Sequence, residues 1–238
     1  MTIFFERREL VVPGDLLAEG DYEPGENVYK EDDKLYATRV GLLELKDDKI
    51  SVIALRSFYV PKPGDIVIGD VVDVGVSSWA IDIKAPRLAV LRATEVVGRP
   101  FRSDKTELTK ILNVGDTVIA KVKAYDRTRS PMLTMGEPGL GKIRHGRIVR
   151  ITPSKVPRLI GKKGSMISML KRETGCKIVI GMNGVVLVRC KSPEDEELLI
   201  EAIEKIERES HVEGLTDRVA EMIRRRRGLG SGEAQADR

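Results

Sequence analysis

The 238 residues give room for two or three small domains, each with its own core, and 41% hydrophobic with 33% charged residues is a globular composition. No apolar run nears the roughly 18 residues of a membrane span. The start, MTIFFERREL, carries acids and arginines where a signal peptide needs a basic stretch followed by an apolar one, so a cytoplasmic protein with no membrane partner is expected. Cys176 and Cys190 with His145 and His211 are too few for a four-ligand zinc site at short spacing, so neither metal nor cofactor is expected. The net charge of +4 conceals a gradient: 13 acids against 8 bases in residues 1–60, and 11 bases against one acid, Glu173, from Lys142 to Lys177. A local field of that sign attracts polyanions.

Along the first 135 residues, short strand-like runs are bounded by Pro13-Gly14-Asp15, Pro24-Gly25, Pro63-Gly64-Asp65 and Val114-Gly115-Asp116. Pro presets the first central turn residue and Gly supplies positive φ at the second, so Pro-Gly predicts type II turns joining strands. The expectation is all-β: two small barrels or sandwiches, divided where YVPKPGD interrupts the pattern near residues 60–62. Gly136 to Gly141, GEPGLG, reads as a linker to a third domain of different pattern.

That third domain alternates strand and helix. His145 to Ile151 predicts a strand, Pro157 a short helix, and Ser165 to Thr174 a second helix ended by Gly175. CKIVIG and VVLVRC flank Asn183-Gly184, a hairpin signal. If those two residues form the whole turn, strand parity sends Cys176 and Cys190 to opposite faces, predicting buried thiols. Ser192 caps a long helix with Pro193 first, Asp195 three after the cap, and Leu198, Leu199, Ala202, Ile203 and Ile206 on one stripe. A last helix, about 216–227, ends in four arginines, and GLGSGEAQADR is too polar and Gly-rich to pack.

The most informative stretch is Leu159-Ile160-Gly161-Lys162-Lys163-Gly164-Ser165. Two glycines allow a tight turn and close approach of a backbone; the open amides and dipole of the following helix favour a phosphate, and two lysines add full charge. With β-α-α-β-β-α around it, the segment 144–210 resembles a KH domain, an α+β module that clamps about four single-stranded nucleotides. Arg158, Lys171 and Arg172 would reinforce its groove. Residues 63–136 resemble the OB-fold RNA-binding domain of the ribosomal-protein-S-one type: GDVVDVGVSSWAIDI as its first two strands, PRLAVLRATEVVG as the third, NVGDTVIAKVKAYDRTRSPMLTM as the last two. The resemblance projects Ser77, Ser78, Lys84, Arg87, Arg92, Lys123, Arg127 and Arg129 onto the RNA-facing strands and loops. Trp79 alternates with inward residues and is expected in the core. Few aromatics are available for stacking on bases, which points to phosphate contacts and strong salt dependence.

The order of the whole chain resembles the archaeal exosome cap subunit of the ribosomal-RNA-processing-protein-four family. It divides as a β-rich ring-docking domain (1–61), the barrel (62–137), KH (142–212), then a basic helix and disordered tail (213–238). The resemblance implies a non-catalytic subunit with no catalytic residues. This would form a trimeric cap, with itself or a zinc-ribbon cap subunit, on a hexameric ring of RNase-PH-like subunits. There it would gather single-stranded RNA, favouring poly(A), for degradation. The zinc-ribbon subunit itself is excluded by the cysteine count, and polynucleotide phosphorylase by its order of KH before barrel. An RNA-binding transcription or translation factor acting without a ring uses the same modules and stays open.

Overall fold

The structure, a computed structural model, describes residues 2–55, 58–97, 105–126, 128–210, 212 and 214–233. It divides into two compact units, Met1–Ser57 and Phe58–Arg238.

In the first unit β1 (Thr2–Ile3), β2 (Leu10–Val11), β3 (Leu16–Glu19), β4 (Glu23–Pro24), β5 (Val28–Glu31), β6 (Lys34–Ala37), β7 (Gly41–Lys46) and β8 (Lys49–Ala54) form two four-stranded sheets, β1-β3-β6-β5 and β2-β7-β8-β4. Their alternation buries Val11, Leu17, Leu35, Leu43, Ile50 and Val52 as a common core. Pro13-Gly14-Asp15 turns as the sequence predicts, Gly14 at φ 96° and the Asp15 carboxylate accepting the Val12 N–H at 2.8 Å. The same device recurs in the second unit, where Asp65 accepts from Lys62 at 3.1 Å and Asp116 from Asn113 at 2.8 Å, with Gly64 and Gly115 at φ 95° and 89°. Pro24-Gly25 differs: Pro24 lies in an edge strand, and a Cβ on Gly25 would collide with Ser51 of β8. That glycine serves close packing of two strands rather than a turn.

The second unit begins with β9 (Ile66–Val74), β10 (Ser78–Asp82), β11 (Ala89–Arg92), the helices α1 (Thr94–Val97) and α2 (Lys105–Ile111), β12 (Thr117–Ala124) and β13 (Met132–Thr134). The pairings β9–β10, β10–β11, β11–β13, β13–β12 and β12–β9 close a five-stranded barrel. Trp79 is fully buried in it and donates its indole N–H to the Leu112 carbonyl at 2.9 Å, so it is core, as its alternation predicts.

After β14 (Gly141–Lys142), which pairs with β12, come β15 (Arg147–Arg150), a 3₁₀ turn Pro153–Lys155, α3 (Val156–Ile160), a 3₁₀ turn Lys162–Gly164, α4 (Ser165–Thr174), β16 (Lys177–Ile180), β17 (Val185–Arg189), α5 (Pro193–Arg208) and α6 (Leu215–Glu233). The antiparallel sheet β15-β17-β16 carries the helices on one face, over a core that includes Val156, Leu159, Met169, Val186, Val188, Leu199, Ile203 and Ile223. Helix α5 is capped as its sequence predicts, Ser192 Oγ accepting the Asp195 N–H at 3.1 Å.

Three expectations are corrected. The hairpin does not turn on two residues: Gly184 N–H bonds the Gly181 carbonyl and Gly181 N–H the Val185 carbonyl, with only Gly184 at positive φ, 80°. This is a tight turn with a glycine bulge, one residue longer than a two-residue loop, and it shifts the register by one. Lys177 faces Arg189, so Cys176 and Cys190 fall on one face, 4.4 Å apart at Cα, and form a disulfide rather than buried thiols. Second, the GEPGLG stretch is not a free linker. Leu140 and Ile143 pack with Ile66, Ile68 and Ile119 of the barrel and Val179, Val185 and Leu187 of the KH-like sheet, so part of the sheet face opposite the helices packs against the barrel. Third, α6 continues through residues 228–233 of the predicted tail, because extending a formed helix costs far less than starting one; residues 234–238 lie outside the described ones.

Candidate nucleic-acid interface

The loop between α3 and α4 has the geometry that its two glycines allow. Gly161 sits at φ 77°, ψ 170°, and Gly164 at φ 79°, ψ 15°, both costly for any residue with a Cβ. At Gly161 a Cβ would stand 2.6 Å from the Met166 nitrogen, so the loop folds back onto the first turn of α4 only because that atom is absent. Lys163 is itself at φ 53°, held there by the turn. Lys162, Lys163 and Ser165 are exposed, and no side chain caps the start of α4. The open end of this helix therefore faces solvent beside two ammonium groups, an arrangement that receives a phosphate. Half-buried Ile160 and Ile167 flank the loop at the margin of the core, apolar surface that the sequence reading did not single out.

Arg158 on α3 and Lys171 on α4 are exposed on the same helix pair. Arg172 is less available, since it shares Glu173 with Arg224 of α6, at 3.0 and 3.2 Å. Arg224 and then Arg172 hold the Glu173 carboxyl below its ordinary range. The run of arginines within α6, legible in sequence only as a basic face, largely fastens that helix: Arg226 bonds Glu201 at 3.2 Å and Arg227 bonds Asp195 at 2.6 Å.

On the barrel, Ser78 and Arg92 are cross-strand neighbours on the outer face of β10 and β11. Ser77 is exposed in the loop before them. Arg87 donates to the Thr128 carbonyl at 2.7 Å, which gathers Arg87 and exposed Arg129 at the β12–β13 loop; Arg127 lies outside the described residues. Two predicted cations are occupied. Lys123 is bound to Glu95 at 2.6 Å, and Lys84 pairs with both Asp82 and Asp70. Lys123 and the Thr134 hydroxyl keep Glu95 ionised below the usual carboxylate range. The barrel's lysines are thus mostly neutralised by its own acids, while Lys162, Lys163, Arg158 and Lys171 have no carboxylate partner among the described residues.

A residue read only as a turn former joins the two modules. Asn183, 3% exposed, donates to the carbonyls of Ile68 at 2.7 Å and Ile83 at 2.9 Å and accepts the Ile68 N–H at 3.3 Å, while Met182 N–H bonds the Ile66 carbonyl at 2.8 Å. The hairpin tip satisfies buried backbone groups of β9 and of the residue after β10, and the shared apolar layer described above surrounds it.

Residues 8–56 match the model of the exosome RNA binding protein RRP4 N-terminal domain, 58–124 that of the RRP4 S1 domain, and 146–209 that of the KH domain. The chain is 49% identical to the exosome complex component Rrp4 of Thermococcus kodakarensis, over 93% of this chain and 87% of that one. The chain belongs to the Rrp4 family. With the protein of the same name from Sulfurisphaera tokodaii it shares 44% identity over 95% of its own length and 92% of the other's. A crystal structure described as an exosome complex RNA-binding protein aligns with a TM-score of 0.68 at 42% identity, covering 73% of this chain and 99% of that one. The Rrp4 match spans all three modules in the order that the sequence patterns predict.

Proposed function

We propose that this protein is a non-catalytic RNA-binding subunit of an exosome, capping a hexameric ring of RNase-PH-like subunits as part of a trimer and leading single-stranded RNA into the ring. The observation that carries the reading is the exposed GKKG turn, its two glycines at positive φ, set against the uncapped start of α4. Family membership supports the complex: the related proteins bear the name of an exosome component. In this reading Lys162, Lys163 and the amides after Gly164 hold phosphates, while Arg158 and Lys171 extend the contact. Ser78, Arg87, Arg92 and Arg129 of the barrel guide the strand before or after it. Lys84 and Lys123 contribute less, because each must first leave a carboxylate. With most contacts to phosphate, base preference is modest, and favour for poly(A) would come from backbone and stacking properties of the strand.

The test is co-purification. The intact chain mixed with an RNase-PH-like subunit pair should migrate with the ring and increase the rate at which it shortens single-stranded RNA, while the chain alone shortens none. Binding of RNA with no affinity for the ring would favour the transcription or translation factor reading. Shortening by the purified chain alone would refute the non-catalytic role.

A further inference from the structure

The face of the β15-β17-β16 sheet turned away from the helices is only partly covered. Val179, Leu187 and Ile148 pack on the barrel, and Lys177 and Arg189 share that face by strand parity at its far end. These two cations stand directly opposite one another in the ladder, a placement that costs stability between like charges. Neither has a carboxylate partner among the described residues. The position is built. Gly146, at φ 111°, leaves room for the arginine stem, since a Cβ there would lie 2.8 Å from Arg189 Cγ, and Arg189 Nε donates to the His145 carbonyl at 3.1 Å. The adjoining Cys176–Cys190 disulfide fixes the two strands in this register. Exposed Lys191 lies just after Arg189 in the chain, and exposed Arg144 adjoins His145.

We propose that Lys177 and Arg189 form a second phosphate-binding site, for a stretch of single-stranded RNA beyond the nucleotides held at the GKKG turn. The juxtaposed cations become favourable once a phosphodiester sits between them, and counterion release adds to the affinity. Helix α4 begins at the turn and its ten residues run about 15 Å before the chain reaches Lys177, so a strand must continue past the turn to meet this site. This inference rests on the RNA-binding reading above.

Binding of a 4-nucleotide and a 20-nucleotide single-stranded RNA to the full chain tests it, across a salt series. For Lys177→Glu the 20-mer should bind about fivefold more weakly at low salt, with a shallower salt slope, while the 4-mer is unaffected. Lys177→Arg should restore the 20-mer, which separates lost charge from a damaged fold. Lys162→Asp with Lys163→Asp should weaken both lengths. An unchanged 20-mer affinity in Lys177→Glu, with wild-type binding intact, overturns the second site alone, as does equal weakening of both lengths. Absence of wild-type binding to either RNA overturns the RNA-binding reading and this site with it.

Discussion

Asn183 illustrates how one side chain can serve two structures at once. Locally it belongs to a turn, a role its residue type announces. Its amide, however, satisfies backbone groups of Ile68 and Ile83, 115 and 100 residues away, and no local pattern encodes that. Asn183→Ala removes both donors and the acceptor and leaves buried carbonyls and an N–H unpaired, so urea unfolding should show a loss on the order of 3 kcal/mol. Lys84 and Lys123 teach the complementary point. Their type and position in an OB barrel suggest nucleic-acid contacts, but Asp70 of β9 and Glu95 of α1 meet Lys84 and Lys123 only in three dimensions, and Asp82, two residues before Lys84, is a local partner that the sequence alone does not show to be engaged. Trp79 was legible because alternation along one strand is a local signal.

Among elements, α4 was readable to both ends and α5 at its start, because caps and terminating glycines act on adjacent residues: Gly175 at φ 68° ends the one, and Ser192 with Asp195 begins the other. The glycine turn before α4 depends on the same kind of local demand. Gly161→Ala adds a Cβ 2.6 Å from the Met166 nitrogen at a positive φ, so it should both lower the melting temperature and weaken RNA binding, with circular dichroism and a binding isotherm as the measurements. The β16–β17 hairpin was misread by a single residue, and a single residue reverses every face. The resulting disulfide closes a separation of 14 residues and should contribute about 3 kcal/mol. Urea titration of the chain with and without a dithiol reductant should show this difference, and the Cys176→Ser, Cys190→Ser double variant should match the reduced protein.

For the whole molecule, the order of modules was legible, since each leaves its own periodicity and turn chemistry, and it agrees with the three family matches along the chain. The packing of one module against another was not, because GEPGLG has the composition of a linker while Leu140 within it and Ile143 just after it are half-buried against the apolar layer between the modules. Ion pairs bind the elements together and set the acid response. Glu95 is kept low by Lys123; Asp195 by Arg227; and Asp116, despite opposing burial, by the Asn113 N–H and Lys142. Each of these carboxyls protonates at lower pH in the folded chain than in the unfolded one. The stabilisation is complete above the ordinary carboxylate range and is lost as pH falls through the lowered folded values. Thermal melts should therefore be nearly flat from pH 7 to about 5 and decline below about pH 4.

RNA binding by this chain depends most on the turn at Gly161–Gly164 holding phosphate, and the salt dependence of single-stranded RNA binding measures this directly. Replacing Lys162 and Lys163 together by Asp should weaken binding at least tenfold at low salt and reduce the slope of log affinity against log salt by about 1.4, while the melting temperature stays within a few degrees. Wild-type affinity and slope in that variant would contradict the assignment.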